Sequence, residues 1–262
     1  MFPWYDSWWL AEYETARRRL TQSNPAVLDR FVREMSVFRT DPAFTVQLVA
    51  GLLDEAEWKQ VHRTIAELRP GDLDMTEAKA FGRFVARNCP FFSDLQRRLT
   101  TFVSERVGEA VEPAYNFLSL YGAPGVCAPH MDAPSAKWTL DLCVAQSAPW
   151  PIYFSQVVPW PEEADRSQDR PGDWAEAVKA STSLRFTPVA LEPGQAVIFS
   201  GSSQWHYRDR MPTGPGRQFC ELLFFHYIPA GTRELVFPDK WAGLFGAPEL
   251  EGLVAQRHGA FI

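Results

Sequence analysis

The chain is short of the features that mark several large classes of protein. It has four cysteines in 262 residues, Cys89, Cys127, Cys143 and Cys220, and no two are spaced as CxxC. A structural zinc site built on cysteine pairs is therefore not expected, and the cysteines read as reduced thiols. Cys143 and Cys220 sit in apolar, strand-like runs, where a thiol behaves as a small hydrophobe. No stretch approaches the roughly 18 apolar residues of a membrane span. The N-terminus, MFPWYDSWWLAEYE, lacks the basic start and small-residue cleavage site of a secretory signal, so a cytoplasmic location is expected. Positive charge is also in deficit. The formal net charge is −6, which repels a phosphate backbone and argues against nucleic-acid binding. The one basic cluster, Arg17, Arg18 and Arg19, reads as a solvated helix face. There is no GxSxG, no phosphate-binding glycine loop, no dinucleotide fingerprint, no internal repeat and no low-complexity tract.

What is present is a globular balance of 46% hydrophobic and 22% charged residues, rich in aromatics, with ten Trp and nineteen Phe. Residues 1–110 read as a mainly helical buttress, with helices over about Asp6 to Leu20, from Pro25 onward, over Asp54 to Leu68 and from Pro90 to Val107, and a short strand at 44–50. The character changes near Val111. Short β-type runs follow at about 113–121, 137–145, 151–155, 184–191, 195–200, 204–208 and 217–228, a spacing that suggests a sandwich or barrel and not a βαβ fold. The charged segment 156–183 reads as an insertion that serves either as a surface loop or as a lid over a site. Residues 231–262 read as an irregular tail with a short helix around Pro248 to Gln256. The aromatic start, with Trp4, Tyr5, Trp8 and Trp9, suits a partner surface such as a homodimer contact as well as the chain's own core.

The chemistry concentrates after Tyr121, in YGAPGVCAPHMDAP. His130 and Asp132 are two apart, and in an extended chain side chains at i and i+2 point to one face. An imidazole beside a carboxylate suits a divalent first-row metal. Of the other histidines, His62 lies far upstream, His258 lies in the tail, and His226 sits in ELLFFHYI as an ordinary strand residue would. His206 follows a Pro-Gly turn and the apolar run VIF, and is the third ligand expected. A set of two histidines and one carboxylate occupies one face of a metal and leaves positions open. Arg217 lies eleven positions beyond His206, and a hairpin through MPTGPG would bring it back beside the metal, where a guanidinium can clasp a carboxylate. Arg208 and Arg210 compete with it, and Arg208 shares the inward face of His206. In the strand after Asp132, Trp138 and Asp141 are weaker candidates for substrate contact, with Asp141 able to steady an arginine instead.

From about Tyr115 to Ile228, under half of the chain, the layout resembles the Fe(II)/2-oxoglutarate-dependent dioxygenases, in particular the prolyl-hydroxylase-like branch. That branch has a Tyr, a Gly-rich loop, HxD, a PG-turn strand, a distal His and a basic residue about ten positions on. The resemblance implies an α+β chain with a double-stranded β-helix, a jelly-roll core over 111–230, and N-terminal helices packed outside one sheet. It implies Fe(II) on His130, Asp132 and His206, with 2-oxoglutarate and O2 as cosubstrates. It also implies Arg217 on the far carboxylate and Tyr121 as a hydrogen-bonding partner of 2-oxoglutarate. The expected reaction is hydroxylation of an unactivated C–H bond in an amino acid or natural-product intermediate, with succinate and CO2 released. Desaturation, cyclisation and epimerisation share its opening. Halogenating relatives replace the acid with Gly or Ala, so Asp132 speaks against halogenation. Alternatives are a hydroxylase of peptide or protein side chains, an iron oxidase that does not use 2-oxoglutarate, and a catalytically silent binding module.

Overall fold

A computed structural model describes residues 8–160 and 174–254. In chain order the strands are β1 (Gln47–Val49), β2 (Arg83–Arg87), β3 (Val111–Gly122), β4 (Cys127–His130), β5 (Trp138–Gln146), β6 (Ile152–Val157), β7 (Thr187–Val189), β8 (Ala196–Ser200), β9 (Gln204–Arg208) and β10 (Phe219–Pro229). They form two antiparallel sheets. The larger has the order β1-β8-β5-β10-β3-β2 and the smaller β4-β9-β6-β7. From β3 onward the chain passes repeatedly between the sheets, so side chains from both converge on one interior.

Alternation along β10 sorts its residues between two environments. Leu223, Phe225 and Tyr227 face outward onto helices α3 (Glu55–Ala66) and α5 (Pro90–Val107), in a core shared with Val61, Leu95, Leu99 and Val103. Cys220, Leu222 and Phe224 face inward, against Ile152 and Phe154 of the smaller sheet. Helices therefore cover the outer face of the large sheet. Local chemistry sets their ends. Asp54 and Glu57 make a reciprocal capping box at the start of α3. Pro90 opens α5 and Gly108, at φ 72°, closes it in the left-handed conformation.

The two N-terminal helices α1 (Trp8–Ser23) and α2 (Pro25–Met35) do not join that layer. They build a second core in which Trp9, Tyr13 and Phe31 pack on Trp241, Phe245 and Leu250. The C-terminal residues expected as an irregular tail thus form short helical turns over 233–250 that complete this core, and Trp241 is fully buried. Trp9 is buried there too; the side chains of Trp4, Tyr5 and Trp8 lie outside the described residues, as does His258. The middle of the expected lid, 161–173, also lies outside them. Its flank, α6 (Trp174–Lys179), sits on the outer face of the small sheet, where Lys179 covers the Tyr207 ring and pairs with Asp209. No helix among the described residues is long and apolar enough to cross a membrane.

Candidate active site

His130 ends β4, and its partner in the β4–β9 ladder is His206. The ladder alone brings two imidazoles together, with ring centroids 4.2 Å apart. Asp132 follows two residues after His130, and its backbone N–H donates to the Gly201 carbonyl at 2.8 Å. Its Oδ1 lies 3.5 Å from His130 Nε2 and its Oδ2 3.8 Å from His206 Nε2. One donor atom from each of the three lies within 4.8 Å of the others. Among the described residues no other cluster of His, Cys, Asp or Glu has this geometry, and no fourth such residue joins it.

The donor set fits a divalent metal in its details. Each histidine has its Nδ1 against a main-chain carbonyl, His130 on Ala128 at 2.8 Å and His206 on Gln204 at 3.0 Å. Donation from Nδ1–H to a main-chain carbonyl is the usual outer support of metal-binding imidazoles, and it would present Nε2 of each ring to a cation. Gly201 supplies the cradle. A Cβ there would lie 2.5 Å from Asp132 Oδ2 and 2.4 Å from the Ala136 carbonyl oxygen. Gly201→Ala is therefore expected to displace Asp132 and weaken metal binding about 10- to 100-fold, as loss of a supporting contact does. A cobalt(II) titration reads this, and an unchanged affinity would contradict it.

Electrostatics favours the ligating forms of two of the three residues. Burial works against ionising Asp132, but His206 and His130 more than offset it and hold the carboxyl well below its usual range. Burial, then the neighbouring His130, push His206 down to about 4, so it is neutral at pH 7. Burial opposes charge on His130 as well, yet Cys127 and Asp132 outweigh it and raise that imidazole. A bound cation would displace that proton.

The other predicted residues divide sharply. Tyr121 is buried on the inner face of β3, and its hydroxyl accepts from Arg83 Nη1 at 2.8 Å. Arg208 lies two residues after His206 on the same face of β9 and is 3% exposed. Its Nη2 donates to Asp141 Oδ2 at 2.8 Å and its Nη1 to the Trp150 carbonyl, while Nε makes no hydrogen bond among the described residues. Asp141, fully buried, steadies this guanidinium. Arg217 is not beside the cluster. It is exposed in the loop before β10, which starts only at Phe219, and its charge is felt by Glu221, a residue that alternates with outward-facing Leu223. The prolines and glycines of 212–216 keep that loop out of the ladder. Trp138 also faces away. It packs on Phe44 in the outer core and donates its ring N–H to Glu109.

His226 was expected to be an ordinary strand histidine and is not. It is 3% exposed on the inner face of β10, its Nδ1 3.0 Å from Thr139 Oγ1 and its Nε2 without a hydrogen-bond partner among the described residues. Burial pushes it down to about 4. An unfolded histidine titrates near 6.5, so between those values the unfolded chain binds the extra proton. Stability is therefore expected to fall as pH drops from about 6.5 to about 4, by up to roughly 1.4 kcal/mol per pH unit for this group. His226→Phe should flatten the pH dependence of urea unfolding across that window; parallel curves for the two proteins would contradict it.

Two sheets with a cluster of two histidines and one carboxylate form a fold shared with solved structures that hold a metal and 2-oxoglutarate. In particular it is similar to HygX from Streptomyces hygroscopicus. The HygX structure with nickel and 2-oxoglutarate bound matches over 76% of this chain and 87% of that one, at 12% identity and a TM-score of 0.54. The form that also holds hygromycin B matches at a TM-score of 0.52, and the iron-bound form at 0.51. No family model and no curated protein matches the sequence.

Proposed function

We propose that the chain is an Fe(II)- and 2-oxoglutarate-dependent oxygenase with a double-stranded β-helix core, hydroxylating an unactivated C–H bond of a small molecule such as an amino acid or natural-product intermediate. The observation that carries this reading is the open cluster of His130, Asp132 and His206, with no fourth protein ligand among the described residues. A closed structural site would have four. The passage of β3 to β10 between two sheets, the nickel and 2-oxoglutarate bound in HygX, and the small molecule hygromycin B bound in a second HygX structure support it.

Iron(II) with 2-oxoglutarate and O2 would supply the oxidising power, with succinate and CO2 released as C–H becomes C–OH. The chain's own contribution is placement and exclusion of water. His130, Asp132 and His206 are the residues that would hold the metal. Arg208 would receive the far carboxylate of 2-oxoglutarate through Nε, which makes no hydrogen bond among the described residues, in place of Arg217, while Asp141 fixes its orientation. Tyr121, held as a neutral phenol by burial and steadied by Arg83, stands beside it as a hydrogen-bond donor. Phe154 and Phe199 pack around His206 and keep water from that side. The test is stoichiometry in air: protein loaded with Fe(II) should convert 2-oxoglutarate to succinate, slowly alone and faster with a screened small molecule that gains one oxygen. No succinate above the level of an Asp132→Ala control, with any compound, would reject the reading.

A further inference from the structure

Strand β2 lies outside the region that carries the metal ligands, yet it sends two arginines toward the interior. Arg83, Val85 and Arg87 pair with Tyr121, Ser119 and Phe117 of β3. The half-buried Phe117 ring is the hub of this wall. The guanidinium carbon of Arg83 lies 5.4 Å from its centroid and that of Arg87 5.7 Å, while the His226 ring lies 5.3 Å away, inclined by 29°. Arg83 is fully committed, to Glu77, Ser119 and Tyr121. Arg87 is not. Its Nη2 donates to Glu77 at 2.9 Å and Asp74 at 3.4 Å, and its Nε and Nη1 make no hydrogen bond among the described residues. His226 adds a second, independent sign of a ligand, a ring nitrogen buried without a partner among the described residues. Buried polar atoms in folded proteins are rarely left unpaired, and each one asks for an explanation. In the tautomer in which the Thr139 hydroxyl donates to Nδ1, Nε2 carries the proton and is a donor.

This wall adjoins the metal cluster. A Cβ at Gly201 would meet both Thr139 Oγ1, at 3.0 Å, and Asp132 Oδ2, at 2.5 Å. Thr139, the partner of His226, thus stands one residue from a metal ligand. A molecule lying on Phe117 would have donors at one end and the cluster nearby.

We propose that Arg87 and His226 form a subsite for a carboxylate group of the substrate, with the Phe117 ring beneath the adjoining apolar part. The substrate class is then a small carboxylic acid with a flat or apolar portion. The proposal rests on the oxygenase reading for its placement of the reaction. Arg87 donates one charge-assisted hydrogen bond to the carboxylate from a nitrogen not engaged by Glu77 and Asp74, and His226 donates Nε2–H.

The test compares two probes of equal shape and unequal charge, benzoate and benzamide, titrated into the anaerobic complex of protein, Fe(II) and saturating 2-oxoglutarate. Binding is followed by the charge-transfer absorption and by calorimetry. Benzoate is expected to bind at least about tenfold more tightly than benzamide, the scale of one charge-assisted pair. The preference should vanish in Arg87→Ala, survive in part in Arg87→Lys, and shrink several-fold in His226→Phe, which keeps the ring stack and loses the donor. Equal binding of the two probes by the unaltered protein, or a preference that survives Arg87→Ala, would overturn the subsite. If Arg87→Ala does not fold, an undiminished preference in His226→Phe together with Arg87→Lys overturns it. Should the unaltered protein give no charge-transfer band, calorimetry without cosubstrate still reads the preference. A preference lost in Arg87→Ala there keeps the subsite and rejects the oxygenase reading, and no preference rejects both.

Discussion

Replacing His206 by Ala is expected to weaken metal binding by more than about 100-fold and to abolish turnover of 2-oxoglutarate. Changes that merely disturb the support of a ligand cost about 10- to 100-fold in affinity, so removal of a ligand from a set of three costs more. His206 is 5% exposed, its ring is locked through Gln204, and its Nε2 is one of only three donors in the cluster. Its loss leaves His130 and Asp132, a pair that any extended HxD presents. Metal analysis of the purified variant, with circular dichroism to establish folding, checks this. Equal metal content in a folded His206→Ala protein would contradict the ligand assignment.

The second large effect concerns Arg208. Its guanidinium and the Asp141 carboxylate are both buried, at 3% and 0% side-chain exposure. Burial alone pushes the Asp141 carboxyl up, opposed by Arg208. Removing one member of such a pair leaves a buried charge uncompensated and typically costs about 3–5 kcal/mol. Arg208→Ala is thus expected to lower unfolding stability by that amount and also to lose 2-oxoglutarate binding, two effects that a single variant confounds. The double replacement Arg208→Met with Asp141→Leu separates them. An apolar pair of similar volume is often neutral in stability. The double variant should regain most of the stability and none of the cosubstrate affinity, read by urea unfolding and by 2-oxoglutarate titration. Restored cosubstrate binding would remove Arg208 from its proposed role, and Arg217→Ala, on the exposed loop, should leave both quantities near their original values.

The part of the molecule legible in the sequence is the part governed by local pattern. Helix α5 runs from Pro90 to Val107 as its proline start and glycine stop dictate, and β9 spans Gln204–Arg208 as expected. His130 and Asp132 follow from their spacing, and His206 from its place after a turn and a strand. What was not legible depends on pairing across the sheets. β4 has only four residues and contains Pro129, so it reads as loop. β2, RFVAR, carries arginines on its inward face and so lacks the apolar alternation of a strand. Its two inward guanidinium groups stayed hidden with it. Arg217 was misplaced because a hairpin was assumed to fold back at once, whereas Pro212, Gly214, Pro215 and Gly216 delay β10 to Phe219. Trp138 was offered as a substrate contact although alternation puts it opposite Thr139 and Asp141, and the outer core is where it lies. His226 could have been found from parity alone. It shares the inward face of β10 with Phe224 and Leu222, where a histidine has no solvent to hydrogen-bond.

The C-terminal residues show the limit of composition as a guide. Short turns rich in Pro and Gly read as a tail, yet Trp241 and Phe245 close on Phe31 with ring centroids at 5.3 and 5.0 Å. Neither α1 and α2 nor the C-terminal turns bury those rings alone. The helical half of this core shows in the periodicity of α1 and α2, whereas the C-terminal half leaves no such trace.

The central claim, an open iron site that takes 2-oxoglutarate against His130, Asp132 and His206, is tested most directly by anaerobic titration of the metal-free protein with Fe(II) and then 2-oxoglutarate. A visible charge-transfer absorption should appear on addition of 2-oxoglutarate, saturate near one equivalent of each per chain, and be absent in His206→Ala. A protein that binds no Fe(II), or binds it without developing that absorption, would contradict the account.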